Sequence, residues 1–193
     1  MIEYDDYKMI TDCLTKGNYD DIEKYISKEY NKFRLKVAKD ALKSYLSKSS
    51  LGYVSGGNGK IIASDDISIY ILNDASLFSK HYKERLNLTL YQPRSKRLEH
   101  AYDIFKEAEQ KRQFKVDELN LFNYDGVHNY YELSTISGYI RYCFAQDNFE
   151  MALDILGRES KFKLCKIGSK SKGVPVCMVE SDLGKGMVLG LCK

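Results

Sequence analysis

The chain has 193 residues, 44% of them hydrophobic and 30% charged, with two prolines, no tryptophan and a net charge of +3. Such a composition folds as one globular domain with at most an appendage, and it excludes collagen-like, mucin-like and fully disordered classes. No apolar run approaches the roughly 20 residues of a membrane span, and the acidic start at 1–12 lacks the basic-then-apolar order of a signal peptide, so a cytoplasmic protein without membrane contact is expected.

The acidic head, 1–30, carries a charge of −4 and reads as a helical hairpin. Tyr7, Ile10 and Leu14 stand at helical spacing, Gly17 and Asn18 interrupt them, and Asp20 with Glu23 forms a capping box ahead of Ile22, Tyr25 and Ile26. The octet at 33–40 (FRLKVAKD) alternates apolar and polar residues, which predicts a strand ending at Asp40 as the cap of a short helix bearing Ala41, Leu42, Tyr45 and Leu46. Strands follow at 51–55, 60–65 and 70–72, the last two joined through the Ser64-Asp65 turn. Gly56, Gly57 and Gly59 lack P-loop spacing and precede a strand, so they read as a hairpin turn, as do Gly184 and Gly186.

An insertion at about 75–138 holds a strand at 86–91, a helix entered at Pro93 with Leu98, Ala101, Tyr102, Phe105 and Ala108 as its stripe, and an irregular stretch at 123–126. Beyond it, the octet at 140–147 (IRYCFAQD) predicts a strand ending at Asp147, with Glu150 completing a capping box. A helix with Phe149, Ala152, Leu153 and Leu156 comes next, then strands around 161–167, 177–182 and 187–189.

The same order of elements thus occurs twice, strand, helix and three strands, with a Ser-Asp turn at 64–65 and again at 181–182. Duplication explains the coincidence. The expected fold is α+β, two β-α-β-β-β units related by a pseudo-twofold and forming a two-layer domain over 31–193, with the hairpin at 1–30 and one inserted helix as additions.

The segments KIIASDDISIY at 60–70 and VPVCMVESD at 174–182, with GKGMVL at 184–189, resemble hairpins of the DNA polymerase processivity clamps, the ring-forming sliding clamps. The resemblance covers 31–74 and 138–193. It implies one clamp-like domain per chain, a ring of about six copies, helices facing duplex DNA, and recognition of short peptides from replication and repair factors. On that basis Lys39, Lys43 and Lys48 are the DNA-facing residues of the first repeat helix, since a clamp's inner helices meet phosphates.

Catalytic chemistry finds little support in the residues. His81, His100 and His128 form no HxxH or HExxH pattern, and no Gly-x-Ser-x-Gly elbow occurs. The five cysteines form no CxxC pair and are expected to be reduced. No enzyme activity, catalytic residue, metal or cofactor is therefore expected.

Charge concentrates instead at 79–115, which carries +5. Arg94, Lys96 and Arg97 lie at one end of the inserted helix and Lys111 and Arg112 at the other, with Tyr91 and Tyr102 as contact or stacking rings. These are the candidate residues for a protein partner or nucleic acid. The expected function is a non-catalytic clamp-like binding module acting in DNA replication, or interfering with it, through protein contacts, with DNA as a second ligand and homo-oligomerisation compatible with the fold. The alternative is a virus- or mobile-element-encoded inhibitor of a nucleic-acid enzyme or host defence nuclease, with the fold serving as a scaffold.

Overall fold

The computed structural model describes residues 4–47, 51–55, 59–74, 96–123, 128–135, 138–168 and 173–191. It divides into two compact units, Met1–Val37 and Ala38–Lys193. No helix among the described residues is long and apolar enough to cross a membrane.

The first unit contains helix α1 (Tyr4–Thr15) and the first part of α2 (Tyr19–Ser47). Gly17 turns the chain at φ 68°, and the Asn18 N–H donates to the Cys13 carbonyl at 2.9 Å. Asn18 precedes α2 and its side-chain amide donates to Asp21, so Asp20 lies inside the first turn rather than at the cap position.

Helix α2 runs straight through 33–40, where alternation predicts a strand. Alternation over a few residues is compatible with either period. The longer window decides: Ala38, Leu42 and Tyr45 are buried at spacings of four and three, no glycine or proline interrupts 19–47, and the residues are mostly good helix formers. Asp40 is therefore a mid-helix residue, and Val37 and Phe144 occupy unrelated elements.

The second unit is built on a seven-stranded antiparallel sheet of order β1-β2-β3-β10-β9-β8-β4, comprising β1 (Leu51–Ser55), β2 (Lys60–Ser64), β3 (Ser68–Leu72), β4 (Phe114–Lys115), β8 (Lys161–Ile167), β9 (Val174–Glu180) and β10 (Gly184–Leu189). A smaller sheet has the order β5-β6-β7, from β5 (Glu118–Asn123), β6 (Asn129–Ser134) and β7 (Arg141–Ala145). Helices α3 (Lys96–Gln110) and α4 (Gln146–Leu156) complete the described elements. The chain is thus α+β with an N-terminal helical region and an inserted helix, as expected. The strand expected at 86–91 lies outside the described residues, and β4, β5 and β6 are additions.

Six strands of the large sheet are mirrored about its centre: β1-β2-β3 on one side, β8-β9-β10 on the other, joined by antiparallel pairing of β3 with β10 (Tyr70↔Gly186, Ile71↔Lys185). The repeat is consequently α-β-β-β, since the segment 33–40, expected as a strand, is part of α2, while β7 belongs to the small sheet. The C-terminal turns of α2 and helix α4 share one face of the large sheet. Tyr45 meets Tyr70 edge-on at 5.0 Å between centroids, and a Cβ on Gly186 would lie 2.8 Å from the Tyr70 ring and 2.9 Å from Leu156 of α4. This face is glycine at 186 because two large side chains already fill the space.

The two turns do not match at their Ser-Asp pairs. Asp65 Oδ1 accepts from the N–H groups of Ile67 (2.8 Å) and Ser68 (2.6 Å), and in the second turn Ser181 Oγ accepts from Leu183 N–H (3.2 Å). Asp65 therefore superposes on Ser181, one residue from the Ser-Asp alignment. A one-residue slip would reverse the facing of every strand side chain, whereas this alignment keeps Ile62 and Met178 on the same face, both in one core cluster. Gly184 and Gly186 belong to β10 rather than to its turn.

Helix α3 covers part of the opposite face. Phe105 and Ala108 are buried among Ile62, Ile69, Met178 and Met187, with Ala101, Tyr102 and Ile104 packed alongside. The small sheet closes on α4, where Phe149 sits 5.0 Å from Tyr131, 6.1 Å from Phe144 and 5.4 Å from Phe162. Helix α4 begins after Ala145 without a side-chain cap, so Asp147 lies in its first turn. Glu150 accepts from the Tyr131 hydroxyl and pairs with Arg158 instead of capping.

Candidate functional site

The candidate residues of the inserted helix fall into separate places. Lys96 begins α3 and is exposed, whereas Lys111 and Arg112 follow its end, about 22 Å away at 1.5 Å per residue. They do not form one patch. Tyr91, Arg94 and Lys48 lie outside the described residues, as does the Arg97 side chain. Lys111 Nζ is 3.2 Å from Glu107, and the Arg112 guanidinium stands 5.0 Å from the Phe114 ring centroid. Tyr102 stacks on Phe105 at 6.5 Å and lies beneath Lys106, so it is partly a packing residue.

The sheet places a different set of cations beside α3. Strand β8 contributes Lys161 and Lys163, β10 contributes Lys185, and both flank Glu180 of β9, in a register that opposes Glu180 to Lys161 and to Lys185. With Glu109 and Gln113 of the α3 end they line a cleft of about 140 Å³ over β9. Lys115 of the two-residue edge strand β4 stands directly across from Lys163. Like charges opposed in this way repel.

Two carboxylates are shared among the cleft's ammonium groups. Glu109 accepts from Lys106 at 2.9 Å and Lys185 at 3.4 Å, while Glu180 lies 3.5 Å from Lys163 and 3.7 Å from Lys185. Burial alone would raise the Glu109 pKa, but its hydrogen bonds to Lys106 and Lys185 outweigh burial and hold the carboxyl below its ordinary range. The Glu109 bond in turn raises the Lys106 pKa. On the other flank of α3, the Gly168 N–H and then Lys111 lower the Glu107 pKa. Lys161, Lys163 and Lys185 escape a reading of the sequence because all three are far from the inserted helix in the chain, and Lys185 is also far from the other two. The available signal was the alternation of Lys161 and Lys163 with Phe162 and Leu164 on β8.

No known family model matches the chain, and no curated protein or solved structure is significantly similar to it.

The face expected to meet DNA is mixed in charge. Lys39 and Lys43 stand one helical turn apart on α2, Lys43 exposed and Lys39 half-buried. On α4 the outward residues are Glu150 and Asp154, which hold Arg158 at 3.0 and 3.4 Å. Such a face attracts phosphate on one helix and repels it on the other.

Among the described residues no group of three or more His, Cys, Asp or Glu side chains could hold a metal ion. Burial pushes the Cys165 thiol up to about 11, with Glu107 adding to the effect, and burial raises the Cys177 thiol as well. Neither thiol is an activated nucleophile.

Proposed function

We propose that this chain is a non-catalytic, clamp-like binding module that serves or interferes with DNA replication by capturing an acidic segment of a protein partner. The observation that carries the reading is the cleft beside α3, where Lys161, Lys163 and Lys185 stand among the described lining residues with Glu109 and Glu180, and Lys106 bonds Glu109 from α3. The surplus of ammonium groups matches a carboxylate-rich peptide. DNA is a second, weaker ligand, because α4 presents carboxylates where a phosphate-lined surface needs cations. The mirrored α-β-β-β halves supply a rigid platform for the cleft.

The test is capture from a nuclease-treated lysate by the immobilised full chain and by its Lys161→Glu, Lys163→Glu, Lys185→Glu variant. Retention of a protein by the parent, its loss in the variant and an unchanged unfolding midpoint support the reading. Capture that survives the triple change, or that nuclease abolishes, contradicts it.

A further inference from the structure

We infer that the first part of α2 is a self-association surface that takes the same helix of a second copy, antiparallel, about a twofold axis at Ile26. Tyr19, Ile26 and Phe33 recur every seventh residue on α2 and are 67%, 56% and 64% exposed. These three large apolar side chains, one every second turn and joined by Tyr30 (48% exposed), make an apolar strip on which another helix can pack.

Two features select the occupant and its direction. The seam is symmetric about Ile26, so an antiparallel second copy sets Tyr19 against Phe33, Ile26 against Ile26, and Phe33 against Tyr19, the self-complementary arrangement that a twofold interface requires. The helix is also bipolar. Beside the strip, the first half carries Glu23 and the second half carries Arg34 and Lys36 against Glu29, while Asp21, Lys24 and Lys28 lie on the back of the helix. Antiparallel pairing brings the acidic half of each helix to the basic half of the other, whereas parallel pairing would oppose like charges. The surface lies within the first compact unit and is independent of the cleft beside α3.

Single cysteines in the full chain test both the contact and its direction, scored against the parent, which carries five cysteines of its own. At the axis, Ile26→Cys should oxidise to a disulfide-linked dimer. Residues 19 and 33 lie about 10 Å along the helix from the axis, so each is about 21 Å from its own symmetry mate, too far for a disulfide. Tyr19→Cys or Phe33→Cys alone should therefore give no added crosslink, and a mixture of the two should give one. Sedimentation equilibrium of the parent should show a dimer, and Ile26→Asp should weaken it by roughly 100-fold through burial of an unpaired carboxylate. A monomeric parent overturns the proposal and leaves the seam to a different protein. Self-crosslinking at position 19 or 33 as efficient as at 26 overturns the antiparallel arrangement.

Discussion

The seam between β3 and β10 joins the two halves, and Gly184 is where it tolerates least. An alanine Cβ there would sit 2.2 Å from the Ile71 carbonyl oxygen and 2.9 Å from the Leu72 Cα, both backbone atoms. Relief demands that the strands part by about 1 Å near the pair Gly184↔Leu72, next to the Asn73 N–H bond to the Leu183 carbonyl at 2.9 Å. Overpacking costs about 1–3 kcal/mol, and one or two weakened ladder bonds add about 1 kcal/mol each. Gly184→Ala should thus lose about 3 kcal/mol, which at a urea m-value of about 2 kcal/mol/M moves the midpoint down by roughly 1.5 M. Gly59→Ala is the control in the same unit. That glycine has φ 62° with nothing within 4 Å of the added methyl, so only the left-handed backbone costs, about 1 kcal/mol. Equal midpoints for the two variants would refute the close approach of β10 to β3.

Three further outcomes follow from the same geometry. Tyr45→Phe removes a hydroxyl that donates to the Ser68 carbonyl at 3.1 Å and should cost about 1 kcal/mol in urea unfolding, whereas Tyr70→Phe removes a buried hydroxyl with no hydrogen bond of good geometry among the described residues and should cost less; the reverse order would contradict the packing. Cys165 should carry about 100-fold less thiolate than an ordinary thiol of pKa 9.0, so native-state alkylation at pH 8 should spare it until the chain unfolds; rapid labelling would contradict its burial. Because the Glu109 pKa is held below 4.5 in the fold, its contribution is present above pH 4.5 and fades as the pH falls through the folded value. Glu109→Gln should therefore flatten the acid limb of the stability profile by up to about 1 kcal/mol, and an unchanged limb would refute the Lys106–Glu109–Lys185 linkage.

The hairpins were legible because their signals are local. The strands leading into Ser64-Asp65 and Ser181-Asp182, and those at Leu51–Ser55 and Lys161–Ile167, stand where alternation and turn residues put them, whereas the return strands begin earlier, at Ser68 and Gly184. The 33–40 segment misleads because its alternation also fits a helix, and only the spacing of Ala38, Leu42 and Tyr45 separates the two. For β5 the sequence does hold a signal: Leu119 and Leu121 alternate with polar residues ahead of Asp125-Gly126, a dipeptide favoured in hairpin turns. The cleft was not legible, since Lys185 reaches Glu109 only after a chain separation of 76 residues is closed by the sheet. The seam of Tyr19, Ile26 and Phe33, by contrast, lies in one helix and could have been read from spacing alone.

The claim that the cleft beside α3 receives an acidic segment is tested most directly by titrating the full chain with a glutamate- and aspartate-rich peptide while following backbone amide resonances. The largest shifts should fall at Lys161, Lys163, Glu180 and Lys185, and they should shrink as salt is added. Shifts centred on Lys96, or on Lys39 and Lys43, or no shifts at low salt, would contradict the account.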